Sequence, residues 1–319
     1  MTVRRQVERA DEPSAVLDKA DRENFPVAPF FMPPAMRAGL MAVYGFARLV
    51  DDTGDGDLVD PAGTAATLGV DLPAGGAPET AEHTSTAFRL ALLDGLEADL
   101  DRVFETVLGA PAAVPPRHPL LAALVPVVDA HGLTPDPFRA LIEANRVDQV
   151  TTRYADFDGL MGYCELSANP VGLLVLQLAG LATPERIRRS DAICSALQVV
   201  EHLQDVAEDR AAGRIYLPAE DLKRFGVVES DLDAPQAGPA LRSLVAHEAQ
   251  RARDLLDEGA PLVGSVGGRL RLLLAGFAAG GYAALDAIAA VDNDVLSGAP
   301  KPRKSRLLRE VAATLVRGR

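Results

Sequence analysis

The chain has 319 residues and a formal net charge of −13, and it is 48% hydrophobic, with 2 cysteines and no tryptophan. Such a composition can bury a core, which excludes a disordered or collagen-like protein. Two cysteines cannot form a disulfide framework or a cysteine-rich zinc site, and the acidic balance argues against a general nucleic-acid-binding protein.

The N-terminal residues contain no apolar segment of the kind found in secretory signals. No run approaches 18 uninterrupted apolar residues, and even the apolar stretch 270–290 contains Arg271, several glycines and Asp286. The expected location is therefore the cytoplasm.

The hydrophobic periodicity predicts helices along the whole chain. Apolar residues recur at spacings of three and four, whereas no strand-like alternation persists. The predicted helices cover residues 34–52, 84–108, 118–131, 136–155, 158–181, 185–209, 239–258 and 262–291. Residues 60–80 are rich in glycine and proline and are predicted to form a surface loop, as are residues 111–119. Because these loops lie too close together to separate two domains, residues 1–319 are expected to form a single all-α domain.

The first of two acidic motifs lies at the end of the predicted helix 34–52. On a helical wheel, four polar side chains fall within about 60° of one another: Tyr44, Arg48, Asp51 and Asp55. The other side of the helix is apolar. Two carboxylates, an arginine and a tyrosine thus share one narrow stripe.

The second acidic motif lies in the predicted helix 185–209. Three carboxylates follow one another at four-residue spacing and share a stripe with a cysteine and a glutamine: Glu201, Asp205, Asp209, Cys194 and Gln198. Most of the remaining circumference is apolar, which is typical of a central helix, so the stripe is expected to point into the protein. His202 lies at the edge of the stripe and is interpreted as a hydrogen-bonded core residue in preference to a proton acceptor.

Stacked carboxylates repel one another, at a cost of a few tenths of a kcal/mol per pair even in solvent. Burying them without a partner would cost far more. Magnesium, which prefers carboxylate, water and phosphate oxygens, resolves this conflict. The sequence therefore predicts two acidic helices that face one cavity and hold Mg²⁺. The alternative is a solvated acidic face, which the second stripe and the apolar surroundings disfavour.

Ionisation of an allylic or cyclopropylcarbinyl diphosphate would use such a cavity. The metal neutralises the leaving diphosphate, and the apolar walls shelter the carbocation from water. The sequence has no Walker-type loop and no G-x-G-x-x-G motif, which disfavours nucleotide phosphoryl transfer and a dinucleotide-dependent redox enzyme.

The chain resembles the squalene/phytoene synthase family from about Asn24 to Arg309. Residues 47–55 are similar to the family motif ARxxDDxxD. Residues 198–209 are similar to its QxxxxxxDVxED helix, and residues 213–218 to the GRxYLP segment that follows. The resemblance implies an all-α, single-domain isoprenoid-synthase helical bundle around a central cavity, with an isoprenoid diphosphate as substrate.

Within the family, the chain is most similar to the hydroxysqualene synthases of bacterial hopanoid biosynthesis. The residues that suggest this are ENFPVA at 23–28 and YCELSANPVG at 163–172. The similarity implies conversion of presqualene diphosphate and water to hydroxysqualene and diphosphate, with magnesium and without NADPH. One alternative is head-to-head condensation of two farnesyl diphosphates to presqualene diphosphate, squalene or a phytoene-type product. Another is a non-catalytic isoprenoid-binding scaffold subunit, which two intact acidic motifs with arginines disfavour.

The resemblance also implies roles for individual residues. The catalytic set would be Tyr44, Arg48, Asp51, Asp55, Asp205 and Asp209. The magnesium ligands would be Asp51, Asp52, Asp55, Glu201, Asp205 and Asp209. The diphosphate would be held by Tyr44, Arg48, Arg214 and Tyr216, and the hydrocarbon cavity would be lined by Phe25, Val171, Gly172 and Gln198.

Two features depart from the family pattern. Glu201 stands where many relatives carry asparagine, and it is retained as a ligand because a glutamate can still bind magnesium. Gly280 and Gly281 occupy a region where some relatives have a cavity tyrosine, with Tyr282 alongside. This chain therefore carries glycine where such a tyrosine would steer the cation in those relatives.

Two further features allow alternative interpretations. Pro170 lies within an apolar helical stretch, where it either bends the helix for packing or opens the substrate tunnel. Residues 301–319 form a basic tail with seven lysines and arginines against one glutamate. The tail is either a solvated helix end or a contact with anionic lipid, worth about 1 kcal/mol per basic residue. Possible partners are thus a membrane surface and other enzymes of the squalene and hopanoid pathway, but not nucleic acid.

Overall fold

The computed structural model describes residues 12–22, 27–72 and 85–317. Within these ranges the secondary structure is helical, and the only β-type pairing is an isolated bridge between Arg153 and Ile215. The predicted all-α class is therefore confirmed.

The chain divides into two compact units. Unit 1 comprises Met1–Ala28 and Pro34–Pro135, and unit 2 comprises Pro29–Pro33 and Asp136–Arg319. The single domain expected for residues 1–319 stays a prediction.

Unit 1 contains six described α-helices, of which the second and fourth are the longest. They are α1 (Glu12–Asp18), α2 (Pro34–Asp55), α3 (Pro61–Leu68), α4 (Thr86–Val107), α5 (Pro119–Ala122) and α6 (Val125–His131). A short 3₁₀ turn at Lys19–Arg22 follows α1. Helix α2 buries an apolar face that includes Val43, Phe46 and Leu49, and it packs against α1, α4 and α5. It continues three residues beyond the predicted end at residue 52, so the whole first acidic motif is helical.

The predicted surface loop at 60–80 is wrong for Pro61–Leu68, which form α3. The Asp60 side chain accepts a hydrogen bond of 2.9 Å from the Gly63 N–H, and Gly69 ends the helix in the left-handed conformation with φ 77°. Proline is favourable at the start of a helix, and glycine is favourable just after its end. Proline and glycine in this stretch therefore mark the two ends of a helix and do not indicate a loop. Residues 73–80 lie outside the described residues.

Unit 2 contains ten described α-helices. They are α7 (Asp136–Asp148), α8 (Phe157–Ser167), α9 (Asn169–Leu178), α10 (Pro184–Gln204), α11 (Val206–Ala211), α12 (Ala219–Phe225), α13 (Pro239–Gly259), α14 (Pro261–Ser265), α15 (Gly268–Ala290) and α16 (Lys304–Arg317). A 3₁₀ turn lies at Glu229–Asp233. Helix α10 contacts α8, α9, α13, α14 and α15, so the helix that carries the second acidic motif is the central helix of its unit, as its apolar circumference predicts.

Four predicted helices are shorter or interrupted in unit 2. The predicted helix 262–291 breaks at Val266 and Gly267, between α14 and α15. The predicted helix 158–181 breaks at Ala168, and Pro170 lies in the first turn of α9, where its missing N–H costs no hydrogen bond. The predicted helix 185–209 breaks at Asp205, whose backbone leaves the helical conformation with φ −105° and ψ 13°. The predicted helix 136–155 ends at Asp148, before the bridge that Arg153 makes with Ile215.

Two helical stretches are long and apolar enough to cross a membrane: Phe157–Leu178 and Gly268–Ala290. Length and composition alone are weak evidence for a membrane-spanning helix, because a helix in a protein core passes the same test. Helix α15 is mostly buried within its unit, which is the behaviour of a core helix.

Candidate active site

The first acidic motif occupies the last two turns of α2. Asp51 is half-buried, Asp55 is exposed, and Tyr44 and Arg48 on the preceding turns are half-buried. The continuous helix keeps these four side chains on one stripe, as the wheel predicts. Asp51 and Asp55 thus present carboxylates at the accessible end of an apolar helix.

Asp52 differs from its two neighbours because it is buried, with 1% of its surface exposed. Its carboxylate accepts hydrogen bonds of 2.7 and 2.8 Å from Lys19 Nζ and lies 2.9 Å from Arg48 Nε. Burial raises the pKa of Asp52, while Lys19 and Arg48 act to lower it. Lys19 therefore ties the segment after α1 to Asp52 on α2, whereas Arg48 pairs with Asp52 within α2. The role of Asp52 as a magnesium ligand stays a prediction.

The second acidic motif spans the break between α10 and α11. The backbone N–H of Asp205 donates to the Glu201 carbonyl at 3.0 Å, and that of Asp209 donates to the Asp205 carbonyl at 2.8 Å. The four-residue spacing of the three carboxylates is therefore kept across the break. Asp205 and Asp209 are half-buried, and Glu201 is exposed.

The electrostatics of this motif fit a bound cation. Burial raises the pKa of Asp205, and the neighbouring carboxylates of Asp209 and Glu208 raise it further. His202 offsets only part of this effect. A divalent cation with a preference for oxygen ligands would relieve the repulsion, so the residues present suit magnesium.

The segment 213–218 brings two further predicted residues to Asp209. Arg214 Nε lies 3.8 Å from Asp209 Oδ1, and the Arg214 N–H donates to the Asp209 carbonyl at 2.8 Å. Tyr216 is buried, and its ring stacks on His202 with centroids 3.7 Å apart. The segment is held in place by a hydrogen bond of 3.0 Å from the Ile215 N–H to the Thr152 carbonyl.

Sequence reasoning missed a group of aromatic and acidic residues beside Tyr216. Asp148 at the end of α7 accepts hydrogen bonds from the Tyr163 hydroxyl at 2.6 Å and the Tyr216 hydroxyl at 3.1 Å. Tyr154 packs against both tyrosine rings, with centroids 5.6 and 5.7 Å away. Burial and the Asp148 carboxylate raise the pKa of Tyr216, so its hydroxyl remains protonated as a donor. Tyr163 belongs to the segment 163–172 that resembles hydroxysqualene synthases, whereas Asp148 lies in none of the recognised motifs.

The residues predicted to line a hydrocarbon cavity do not share one environment. Val171 is exposed, and Gly172 faces α10 so closely that a Cβ would lie 2.3 Å from Ser190 Oγ and 2.6 Å from Cys194 Sγ. Gly172 therefore allows α9 to approach α10. Gln198 contacts His202, and Phe25 lies outside the described residues.

Gly280, Gly281 and Tyr282 lie in the buried part of α15. A Cβ on Gly281 would lie 2.9 Å from Leu197 Cδ2 on α10. The Tyr282 hydroxyl donates to Asp257 Oδ1 on α13 at 2.5 Å. Gly281 and Tyr282 therefore pack α15 onto α10 and α13.

A separate cluster of possible ligands lies between α12 and α13. Single ligand atoms of Asp221, His247 and Glu248 lie within 4.8 Å of one another. The Arg251 guanidinium, however, donates to both Asp221 and Glu248, and Arg224 lies 3.2 Å from His247 Nε2. Burial raises the pKa of Glu248 to about 7. The arginines neutralise this cluster, which thus serves to attach α12 to α13.

Comparisons with known proteins identify the family of this chain. The model of the squalene/phytoene synthase family matches residues 18–307. The chain belongs to the squalene/phytoene synthase family. It is accordingly an enzyme that acts on an isoprenoid diphosphate.

Curated members of the squalene/phytoene synthase family give the relationship in more detail. The chain is 33% identical to the hydroxysqualene synthase of Rhodopseudomonas palustris, over 76% of this chain and 71% of the relative. It is also 33% identical to the hydroxysqualene synthase of Zymomonas mobilis, over 73% of this chain and 67% of the relative. It is 29% identical to the 15-cis-phytoene synthase of Synechococcus elongatus, over 74% and 70%.

Solved structures of the family agree with the fold. Squalene synthase HpnC from Alicyclobacillus acidocaldarius superposes with a TM-score of 0.70 at 36% identity, covering 88% of this chain and 94% of that one. A dehydrosqualene synthase in complex with ligand gives a TM-score of 0.73 at 24% identity, with 95% of each chain covered, and shows the shared fold alone.

The two acidic motifs lie in different units. That they face one cavity therefore stays a prediction.

Proposed function

We propose that this family member converts presqualene diphosphate and water to hydroxysqualene and diphosphate, in the cytoplasm and in a squalene or hopanoid pathway. The observation that carries the proposal is the 33% identity to two hydroxysqualene synthases over about three quarters of the chain. The phytoene synthase relatives keep head-to-head condensation of two prenyl diphosphates as the second candidate.

Asp51 and Asp55 on α2 and Asp205 and Asp209 at the α10–α11 break would hold magnesium, with Glu201 as an additional ligand and Asp52 as a partner of Arg48. The accessible carboxylates on α2 and the repulsion that raises the pKa of Asp205 support this assignment. When bound, magnesium would neutralise the negative charge of the leaving diphosphate.

Residues of the chain would position the diphosphate and separate it from the hydrocarbon. Arg214 next to Asp209, and Arg48 next to Asp52, place guanidinium groups beside the carboxylates of each motif, and a guanidinium binds phosphate oxygens in a bidentate manner. Tyr44 would supply a hydroxyl donor. The Tyr216 hydroxyl donates its hydrogen to Asp148, so it would have to release that bond before donating to the diphosphate. In the proposed reaction the carbon–oxygen bond to diphosphate breaks and its electron pair leaves with the diphosphate. A water oxygen then bonds to the cation, and its proton passes to the released diphosphate or to a nearby carboxylate.

Product analysis separates the candidates. The purified enzyme is incubated with presqualene diphosphate and Mg²⁺ without NADPH, beside a reaction with farnesyl diphosphate. We expect hydroxysqualene from the first substrate and no product from the second. Presqualene diphosphate or a C30 hydrocarbon from farnesyl diphosphate would overturn the proposed reaction but keep the family. Binding of presqualene diphosphate without turnover would instead support the non-catalytic scaffold.

We also propose that α16 contacts an anionic membrane surface. One side of α16 packs on α15, where the Arg306 guanidinium pairs with Asp286 and Arg271 donates to the Leu315 carbonyl at 2.8 Å. The other side exposes 72% of Leu308 and 66% of Val316, with Arg309 beside Leu308. An exposed apolar stripe with flanking basic residues is typical of a helix that lies in a lipid interface. Contact with other pathway enzymes stays a prediction.

Flotation with phosphatidylglycerol-containing vesicles tests this surface. We expect wild-type protein to float at low salt and the L308E/V316E variant to lose most of that binding, because two carboxylates replace the apolar stripe. Leu272→Glu, at a half-exposed position on α15, is the matched control. Equal flotation of L308E/V316E and wild type, or binding that is insensitive to salt, would contradict the proposal.

A further inference from the structure

His202 contacts three residues of the second acidic motif and its surroundings. Its ring stacks on Tyr216 at 3.7 Å with the planes 11° apart, its Nε2 lies 3.2 Å from Gln198 Nε2, and its Nδ1 lies 3.9 Å from Asp209 Oδ2. Only 10% of the His202 side chain is exposed. The histidine is therefore held against Tyr216 with its Nδ1 near the Asp209 carboxylate, at a separation longer than a hydrogen bond.

The contact with Gln198 determines which ring nitrogen carries the proton. With the Gln198 amide nitrogen assigned to the side that faces His202 Nε2, the amide donates and Nε2 is the acceptor. In the neutral ring the proton is then on Nδ1, the nitrogen that faces Asp209. Gln198 thus directs an N–H dipole of His202 toward the Asp209 carboxylate.

The ring is also held from its face. Tyr216, on which it stacks, donates a hydrogen bond of 3.1 Å to Asp148 on α7. Rotation of the imidazole away from Asp209 would break the stacking contact between the two rings. The orientation of His202 therefore depends on α7, α10 and the segment 213–218 together.

Asp209 needs this support because it lies on a short helix. Helix α11 has six residues and follows the break at Asp205. A helix of that length is not stable by itself. Arg214 Nε lies 3.8 Å from Asp209 Oδ1 and His202 Nδ1 lies 3.9 Å from Asp209 Oδ2, so each carboxylate oxygen has a nitrogen of a different residue within 4 Å, beyond direct hydrogen-bond distance.

We propose that His202 is a positioning residue, which orients the Asp209 carboxylate for metal binding in the tautomer that Gln198 imposes. The inference rests on the proposed function in so far as Asp209 is a metal ligand. Partners that orient a ligating carboxylate typically change metal affinity or activity by 10- to 100-fold when they are removed. His202 carries no motif signal, and only its contacts point to this role.

The test measures binding of Mn²⁺, used as a paramagnetic substitute for Mg²⁺, in the presence of inorganic pyrophosphate by electron paramagnetic resonance. His202→Asn keeps an amide donor near the position of Nδ1, whereas His202→Gln places its amide near the position of Nε2. We expect His202→Gln and His202→Leu to weaken Mn²⁺ binding about tenfold, and His202→Asn to recover most of it. Gln198→Leu is expected to have a smaller effect in the same direction.

Two reference variants and a folding measurement make the result decisive. Asp209→Asn is expected to lose Mn²⁺ binding, and His131→Asn, in the last turn of α6, is expected to bind like wild type. Thermal melts show whether each variant is folded. The Asn and Gln variants are both polar and similar in size, so they decide the result even if His202→Leu does not fold. Equal Mn²⁺ binding by His202→Asn, His202→Gln and wild type would overturn the inference.

The metal measurement is independent of the prenyl substrate. If the wild type binds Mn²⁺ with pyrophosphate but does not convert presqualene diphosphate, the proposed function fails and the positioning role of His202 is still decided by the variants. If the wild type binds no Mn²⁺, the inference about His202 is overturned, while product analysis still decides the reaction.

Discussion

Asp51→Asn and Asp205→Asn are each expected to reduce turnover of presqualene diphosphate by about 10²-fold or more. An amide keeps the size of the carboxylate but removes the negative charge that would hold magnesium. Asp51 is half-buried near the end of α2, and Asp205 lies at an existing break between helices, so neither change is expected to disrupt the helices. The measurement is initial rate at saturating Mg²⁺, with far-ultraviolet circular dichroism to check helix content.

Asp158→Asn is the matched control, because Asp158 is an exposed aspartate in the first turn of α8. It is expected to retain wild-type turnover. Wild-type rates in both Asp51→Asn and Asp205→Asn would be incompatible with magnesium binding by the two acidic motifs.

Gly259→Ala is expected to lower the free energy of unfolding by about 3 kcal/mol, the upper part of the range for overpacked sites. At this position, the last residue of α13, a Cβ would lie 2.5 Å from Ile193 Cγ1 and 2.7 Å from the Arg189 carbonyl oxygen. A main-chain oxygen of α10 cannot rotate away as a side chain can. The methyl group would therefore force α13 away from the central helix, which urea denaturation would detect.

Gly276→Ala in α15 provides the comparison. A Cβ on Gly276 would have no atom within 4 Å apart from its own helix, so the better helix propensity of alanine is expected to raise stability by about 0.5–1 kcal/mol. Similar unfolding midpoints for the Gly259 and Gly276 variants would show that close approach of α13 to α10 does not limit stability.

Local pattern was sufficient for most of the helices but not for their ends. The apolar periodicity of α2, α4, α10, α13 and α15 predicted each of these helices. It did not predict the break at Asp205, because the residues on both sides keep the helical pattern. It also missed α3, which depends on the Asp60 cap and on Leu68 being buried against α4, neither of which a count of glycine and proline detects.

The candidate site shows the same limit. Spacing placed Asp51 and Asp55 on one stripe, and the family resemblance pointed to Arg214 and Tyr216. Spacing placed Asp51 and not Asp52 on that stripe, but it could not predict the partner of Asp52, because that partner is Lys19, 33 positions earlier.

The group around Tyr216 was beyond any local pattern. Asp148 is 68 positions from Tyr216, to which it is hydrogen-bonded. A contact between segments so far apart leaves no periodicity in the sequence. His202 was interpreted as a core residue for the same reason, because its contact with Tyr216 is not encoded near it in the chain.

The most direct test of the proposed chemistry is isotope transfer from water. Presqualene diphosphate is converted by the enzyme with Mg²⁺ in ¹⁸O-enriched water, and the products are analysed by mass spectrometry. Capture of a carbocation by water predicts ¹⁸O in the hydroxyl group of hydroxysqualene and none in the released diphosphate. Label in the diphosphate would contradict this account, because it would mean that water attacks phosphorus and that the carbon–oxygen bond stays intact.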